Sequence, residues 1–141
     1  MGIKKITKDN EYELLRFCNK TNTNVIGGAS RLLKHFIKIE KPKNIYSFAD
    51  NRWSSLTRNL YLNIGFKLIS TSSQGYFYTK DYKTRLHRYN FNKFKLKAMG
   101  ADITKTETKI MEEWGYVRVW DCGTARYELD LSQTPNQPSP L

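Results

Sequence analysis

Asn24–Phe36, NVIGGASRLLKHF, is the stretch from which the fold of this 141-residue chain is read. Gly27 and Gly28 permit a tight turn that residues carrying a Cβ resist. Ala29 and Ser30 then open a helix. Its apolar residues Ala29, Leu32, Leu33, Phe36 and Ile37 fall at i, i+3, i+4, i+7 and i+8, which makes one buried stripe. The strand-like run Tyr12–Cys18 lies just before the turn. Strand, glycine turn and helix amino terminus in this order offer free backbone N–H groups to an anion. The same residues also serve as a plain strand-to-helix connection, because a Gly-Gly turn alone is a weak signal.

Upstream, Met1–Asn10 is polar and reads as a lead-in. Glu11–Cys18 is apolar on both sides of its alternation, which suits an internal strand. Downstream, Pro42 stops the helix and Ile45–Asp50 reads as strand. Strand, helix and strand with short connections predict a βαβ unit with parallel strands. A second helix is expected over Ser55–Asn63, ended by Gly65. Phe66–Ser70 and Tyr76–Lys80 read as short strands joined by a hairpin-like turn at Ser72–Gly75. Thr104-Lys105-Thr106-Glu107 matches a capping box, starting a helix that buries Ile110, Met111 and Trp114 and stops at Gly115. Tyr116–Trp120 and Ala125–Leu131 are expected to form a β-hairpin. Ser132–Leu141 carries three prolines and no charge, the composition of a disordered tail. The fold class is thus α/β (α+β): a mixed sheet with a βαβ core, plus a carboxy-terminal helix and hairpin extension. A single domain is expected over 1–131, with 11–80 as its core and 81–131 as the extension.

The charge is lopsided: 24 Lys and Arg against 13 Asp and Glu, net +11. Such an excess favours a polyanionic partner, nucleic acid being the commonest, over a merely soluble basic protein. Between Lys80 and Lys97 seven basic residues meet one acid, Asp81, with Tyr82, Tyr89, Phe91 and Phe94 interleaved. That pattern suits phosphate contact with base stacking, or else a solvated face whose aromatics point into the core. The phosphate contacts are assigned to Lys83, Arg85, Arg88, Lys93 and Lys95, with Arg118 and Arg126 from the expected hairpin. No run reaches the roughly 18 apolar residues of a membrane span, and the amino terminus lacks the apolar stretch of a secretory signal. Cys18 and Cys122 read as reduced thiols of a cytoplasmic protein. Two histidines and two scattered cysteines make no zinc pattern, so no metal site is assigned. Asp50 and Glu112-Glu113 read as surface charge rather than a nuclease centre.

Residues 13–80 resemble the second half of the GNAT acyltransferase fold. Gly27-Gly28-Ala29 stands where that family takes the pyrophosphate of coenzyme A, and Ile45–Asp50 matches its parallel strand. Leu60–Phe66, LYLNIGF, matches its Leu-Tyr-x-x-x-Gly-Phe signature. The resemblance implies an acyl-CoA cradle of Gly27, Gly28, Ala29 and Ser30, acetyl-CoA as cofactor, and Tyr61 as general acid to the departing thiolate. Asn24 stands where the family carries Arg or Gln. The front half of that fold has no counterpart, which leaves the Glu13–Cys18 strand as an expected open edge and a route to self-association.

A narrower resemblance covers residues 11–131. YELLRFCNKTNTNVIGGASRLLKHF, NIYSFADNRWS, LYLNIGF and TETKIMEEWGYVRVWDCGTARYEL are similar, in order and wording, to the carboxy-terminal region of phage-type homing endonucleases. The link at Ser54–Asn59 is longer than usual. This resemblance implies a DNA-binding, GNAT-like accessory domain, partnered by a separate nuclease module that this stretch does not contain.

Overall fold

The computed structural model describes residues 1–132; beyond Ser132, the stretch read as a disordered tail lies outside the described residues. Among the described residues there are eight strands: β1 Gly2–Lys5, β2 Glu11–Arg16, β3 Asn44–Asp50, β4 Lys67–Thr71, β5 Tyr76–Thr79, β6 Leu86–His87, β7 Val117–Trp120 and β8 Thr124–Asp130. Four α-helices accompany them: α1 Gly28–Glu40, α2 Leu60–Asn63, α3 Lys93–Ala98 and α4 Glu107–Glu113. A 3-10 turn, Arg88–Phe91, precedes α3. The chain divides into two compact units, Met1–Ser72 with the chain from Thr124 onward, and Ser73–Gly123.

The first unit is a mixed five-stranded sheet in the order β1-β2-β3-β8-β4. β2 and β3 are parallel and joined by α1, as the βαβ reading requires; the other pairs are antiparallel. The fold is accordingly α+β. Leu33 of α1 packs with Leu14, Ile45, Ala49, Phe66, Ala125 and Tyr127, all buried, and Phe36 and Ile37 close its margin. Leu32 lies off the stripe and stays exposed. The parallel ladder runs only from Glu11↔Asn44 to Glu13↔Tyr46. Beyond it the Ser47 hydroxyl donates to the Leu14 carbonyl at 2.8 Å, which satisfies a buried polar group where the ladder has ended.

Five expectations differ from the structure. The lead-in contains β1, paired antiparallel to β2 with Ile3↔Leu14 and Lys5↔Tyr12. Asn10, at φ 65, makes the turn that lets it fold back, a conformation asparagine tolerates. The Glu13–Cys18 strand is therefore internal, and β1 and β4 are the outer strands. The hairpin of β7 and β8 does not form. β8 lies between β3 and β4, where Ala125 and Tyr127 become fully buried, while β7 pairs with β5. Likewise β4 and β5 belong to different sheets. The second helix shrinks to the single turn α2, capped by Asn59. The Ser55 hydroxyl instead accepts the Thr57 and Arg58 N–H groups, the local competition that keeps serine out of helix interiors.

The second unit carries the sheet β6-β5-β7 over a core of Tyr78, Phe91, Leu96, Ile110 and Met111. Asn92 caps α3 by accepting the Lys95 N–H at 3.0 Å. Gly100 and Gly115, at φ +84 and +81, stop the two helices, the second as its position predicted. The capping box is displaced. Thr106, not Thr104, caps α4, and Glu107 accepts the Tyr76 and Tyr78 hydroxyls at 3.2 and 3.0 Å. Burial, then the Glu107 carboxylate, pushes the Tyr78 phenol well above its ordinary range.

The aspartates of this unit are consumed by its own turns. Asp121 accepts the Gly75 and Gly123 N–H groups, both at 2.8 Å, and these bonds hold it below the usual carboxylate value of 3.8. A depressed folded value contributes stability that is present above the unfolded pKa and lost as pH falls through the folded one. Urea midpoints are therefore expected to hold steady down to about pH 5 and to drop below about pH 4. Asp121→Asn should flatten that drop.

Candidate functional site

Two features are built from the sequence-assigned residues, one in each unit. In the Ser73–Gly123 unit, Tyr76 of β5 stands opposite Trp120 of β7, and Tyr78 opposite Arg118. Strand alternation puts all four side chains on one face. The Tyr76 and Trp120 rings meet with centroids 4.9 Å apart. The Arg118 guanidinium lies 5.6 Å from the Tyr76 centroid and 5.5 Å from that of Trp120. Arg88, arriving from the turn after β6, lies 4.8 Å from the same Tyr76 ring. Two arginines from separate elements thus converge on one tyrosine, whose hydroxyl is anchored by Glu107. Cation–π contact of this kind holds a guanidinium in place while leaving its N–H fork free.

The remaining cations of the basic stretch, Lys83, Arg85, Lys93 and Lys95, are exposed. Lys95 lies 4.8 Å over the Tyr89 ring. The one acid among them is spent: Asp81 accepts the Thr84 N–H at 2.7 Å, the Thr84 hydroxyl at 2.7 Å and the Lys83 N–H at 2.9 Å. Those bonds, with Thr84 the largest cause, hold its carboxyl far below the ordinary range. Among the described residues the one ion pair is Lys105–Glu113, so none of the assigned cations is neutralised by a carboxylate. The interleaved aromatics divide. Phe91 enters the core, whereas Tyr82, Tyr89 and Phe94 are 82%, 68% and 90% exposed. Tyr82 also holds φ 60, an outlier for a bulky residue.

Arg126 belongs to the other unit. Its guanidinium lies 4.6 Å over the Tyr46 ring, and its buried Nε has no hydrogen-bond partner among the described residues. The sequence reading missed Tyr76 and Glu107. The Tyr76-Phe77-Tyr78 alternation signals an aromatic face, but which cations reach it depends on the β5–β7 pairing.

The glycine turn lines a groove of about 350 Å³ in the first unit, with Phe17, Asn24, Gly27, Gly28, Ala29 and Ser30 on one side and Leu60, Asn63 and Ile64 of and after α2 on the other. Gly27 adopts φ +71. The Gly28 N–H is spent on the Val25 carbonyl at 3.0 Å, which leaves the Ala29 and Ser30 N–H groups facing no helical carbonyl. Tyr61 does not line this groove. Its ring stacks on Tyr127 at 5.0 Å and 20° and meets Phe66 edge-on. Gly27→Ala is expected to cost about 1 kcal/mol through the left-handed backbone alone. Gly28→Ala would instead press a Cβ to within 3.2 Å of Val25. A thermal melt of each variant checks the pair.

Among the described residues no group of three or more His, Cys, Asp or Glu is placed to hold a metal ion, and no helix is long and apolar enough to cross a membrane. The fold and these features define a basic α+β protein with an exposed cation–aromatic face. Comparison with known proteins finds no family model and no curated protein that matches the chain.

Proposed function

We propose that this chain is a nucleic-acid-binding accessory domain, of the kind attached to phage homing endonucleases, with DNA as its partner and the nuclease chemistry supplied by a separate module. The observation that carries this reading is the convergence of Arg88 and Arg118 on Tyr76 beside the half-exposed Trp120. Guanidinium forks held on aromatic faces suit phosphate oxygens, and exposed rings between cations suit base stacking. Lys83, Arg85, Lys93 and Lys95 extend the same chemistry along the chain. The test is a DNA titration at several salt concentrations. Binding that steepens as salt is lowered supports the reading; weak binding at all salts ends it.

A second reading, acyl transfer from acetyl-CoA, is favoured by one feature: a groove at the amino terminus of α1, near where the parallel ladder stops, the usual place for a ligand in a βαβ unit. Tyr61 would act there as general acid, although its ring packs against Tyr127. Among the described residues the Tyr61 hydroxyl makes no hydrogen bond, so Tyr61→Phe should leave stability within about 0.5 kcal/mol. Calorimetry with acetyl-CoA separates the readings. No heat at millimolar ligand removes the second, and turnover abolished by Tyr61→Phe in a stable protein establishes it.

A further inference from the structure

The face that carries the proposed nucleic-acid contacts also carries a cavity. It encloses about 260 Å³ and is lined by Tyr78, Thr108, Glu112, Tyr116, Arg118 and Trp120, with Val117 at its rim. Drug-sized pockets run from about 300 Å³ upward, so this one suits a single planar ring system and not a base pair. Its walls are aromatic, and it holds one cation and one carboxylate. Arg118 and Glu112 line the same space yet form no ion pair with each other; the one ion pair among the described residues is elsewhere. Among the described residues, neither the Arg118 guanidinium nor the Glu112 carboxylate is paired with an opposite charge.

We infer that this cavity receives one unpaired nucleobase of a single-stranded segment, and that the base it fits best is guanine. This rests on the nucleic-acid reading above. Guanine offers acceptors at O6 and N7, which an arginine fork meets in two bonds. It offers adjacent N–H donors at N1 and N2, which a carboxylate accepts together. Thymine has no exocyclic amine for Glu112. Adenine lacks O6 and presents an acceptor where guanine presents the N1–H. Cytosine lacks the adjacent pair of ring and amine N–H donors. Stacking on Trp120 supplies the part of the affinity that ignores sequence. In a duplex the Watson–Crick edge is occupied and the ring faces are stacked, so only an unpaired base can enter.

The experiment measures fluorescence anisotropy with three labelled probes, a short thymidine single strand, the same strand with one central guanine, and the duplex of the latter, with central-cytosine and central-adenine strands as controls. The guanine strand is expected to bind about tenfold tighter than the all-thymidine strand. Glu112→Gln, an exposed and conservative change, should abolish that difference, because an amide offers one acceptor where the carboxylate offers two. Trp120→Ala should weaken both single strands about tenfold, whereas Trp120→Phe should retain most of the single-strand affinity. Three results overturn the inference: no guanine preference, the same preference for a central cytosine or adenine, or a guanine preference that survives Glu112→Gln. Salt-dependent binding of the duplex with no response to Trp120→Ala on any probe overturns it as well, and leaves the accessory-domain reading standing. Absence of binding to all three probes at low salt removes both.

Discussion

DNA affinity is expected to fall between a hundredfold and a thousandfold when monovalent salt rises from about 50 to about 200 mM. The figure follows from counterion release: each neutralised phosphate adds about 0.9 to the logarithmic slope on duplex and about 0.7 on single strands. Six cations of the Ser73–Gly123 unit, Lys83, Arg85, Arg88, Lys93, Lys95 and Arg118, are exposed and have no carboxylate partner among the described residues. Their combined slope should lie near 4 to 5. Arg88→Ala with Arg118→Ala should lower it by about two units. Replacing both by lysine should restore the slope but not the full affinity, because an ammonium keeps the charge and loses the planar stack on Tyr76 and Trp120. Arg126→Ala serves as the comparison. Its guanidinium lies over Tyr46 in the other unit, and a slope unchanged by its loss would confine the contacts to Ser73–Gly123. A wild-type slope below about one would contradict the whole assignment.

Tyr127→Ala is expected to destabilise the first unit by about 3–5 kcal/mol, the range for emptying a large aromatic site. Tyr127 is fully buried in the middle of β8. Its ring stacks on Tyr61, and its hydroxyl accepts a hydrogen bond from Asn59 Nδ2 at 2.8 Å. Asn59 is also the cap of α2, accepting the Leu62 N–H. One side chain therefore ties the strand inserted between β3 and β4 to the short helix beside the glycine groove. Tyr127→Phe isolates the polar part. It keeps the ring and removes one hydrogen bond, so the cost should be about 1 kcal/mol. Urea unfolding followed by far-ultraviolet circular dichroism measures both. Near-equal losses for the two variants would mean that the hydroxyl, not the ring, carries the packing.

The fate of the glycine turn shows what could be read early. Gly27 and Gly28 sit between a strand and an amphipathic stripe, and both signals are local: backbone freedom at two residues and a 3.6-residue period. The turn, α1, the parallel pairing of β2 with β3, and the stops at Gly100 and Gly115 all follow from such short-range rules. The second helix failed where Ser55 and Asn59 hold backbone groups in non-helical geometry. The capping box failed where Glu107 was drawn to two tyrosine hydroxyls, a competition between a local bond and a distant one. Of the site, the exposed cations could be read from composition. The convergence of Arg88 and Arg118 on Tyr76 could not, because these residues lie far apart in the chain.

By itself the sequence determined that this protein is an α+β chain built on a βαβ unit, strongly basic, with a stretch of cations and aromatics between Lys80 and Lys97. Propensity, periodicity and charge are properties of neighbouring residues, so no partner strand is needed to read them. Only the tertiary structure decided that β1 folds back to cover β2, that β7 and β8 part into different sheets, and that two arginines share one tyrosine. The first two turn on which strand finds the most burial. Ala125 and Tyr127 gain more between β3 and β4 than a local hairpin could give them, and burial of that kind is settled by residues far away in the chain.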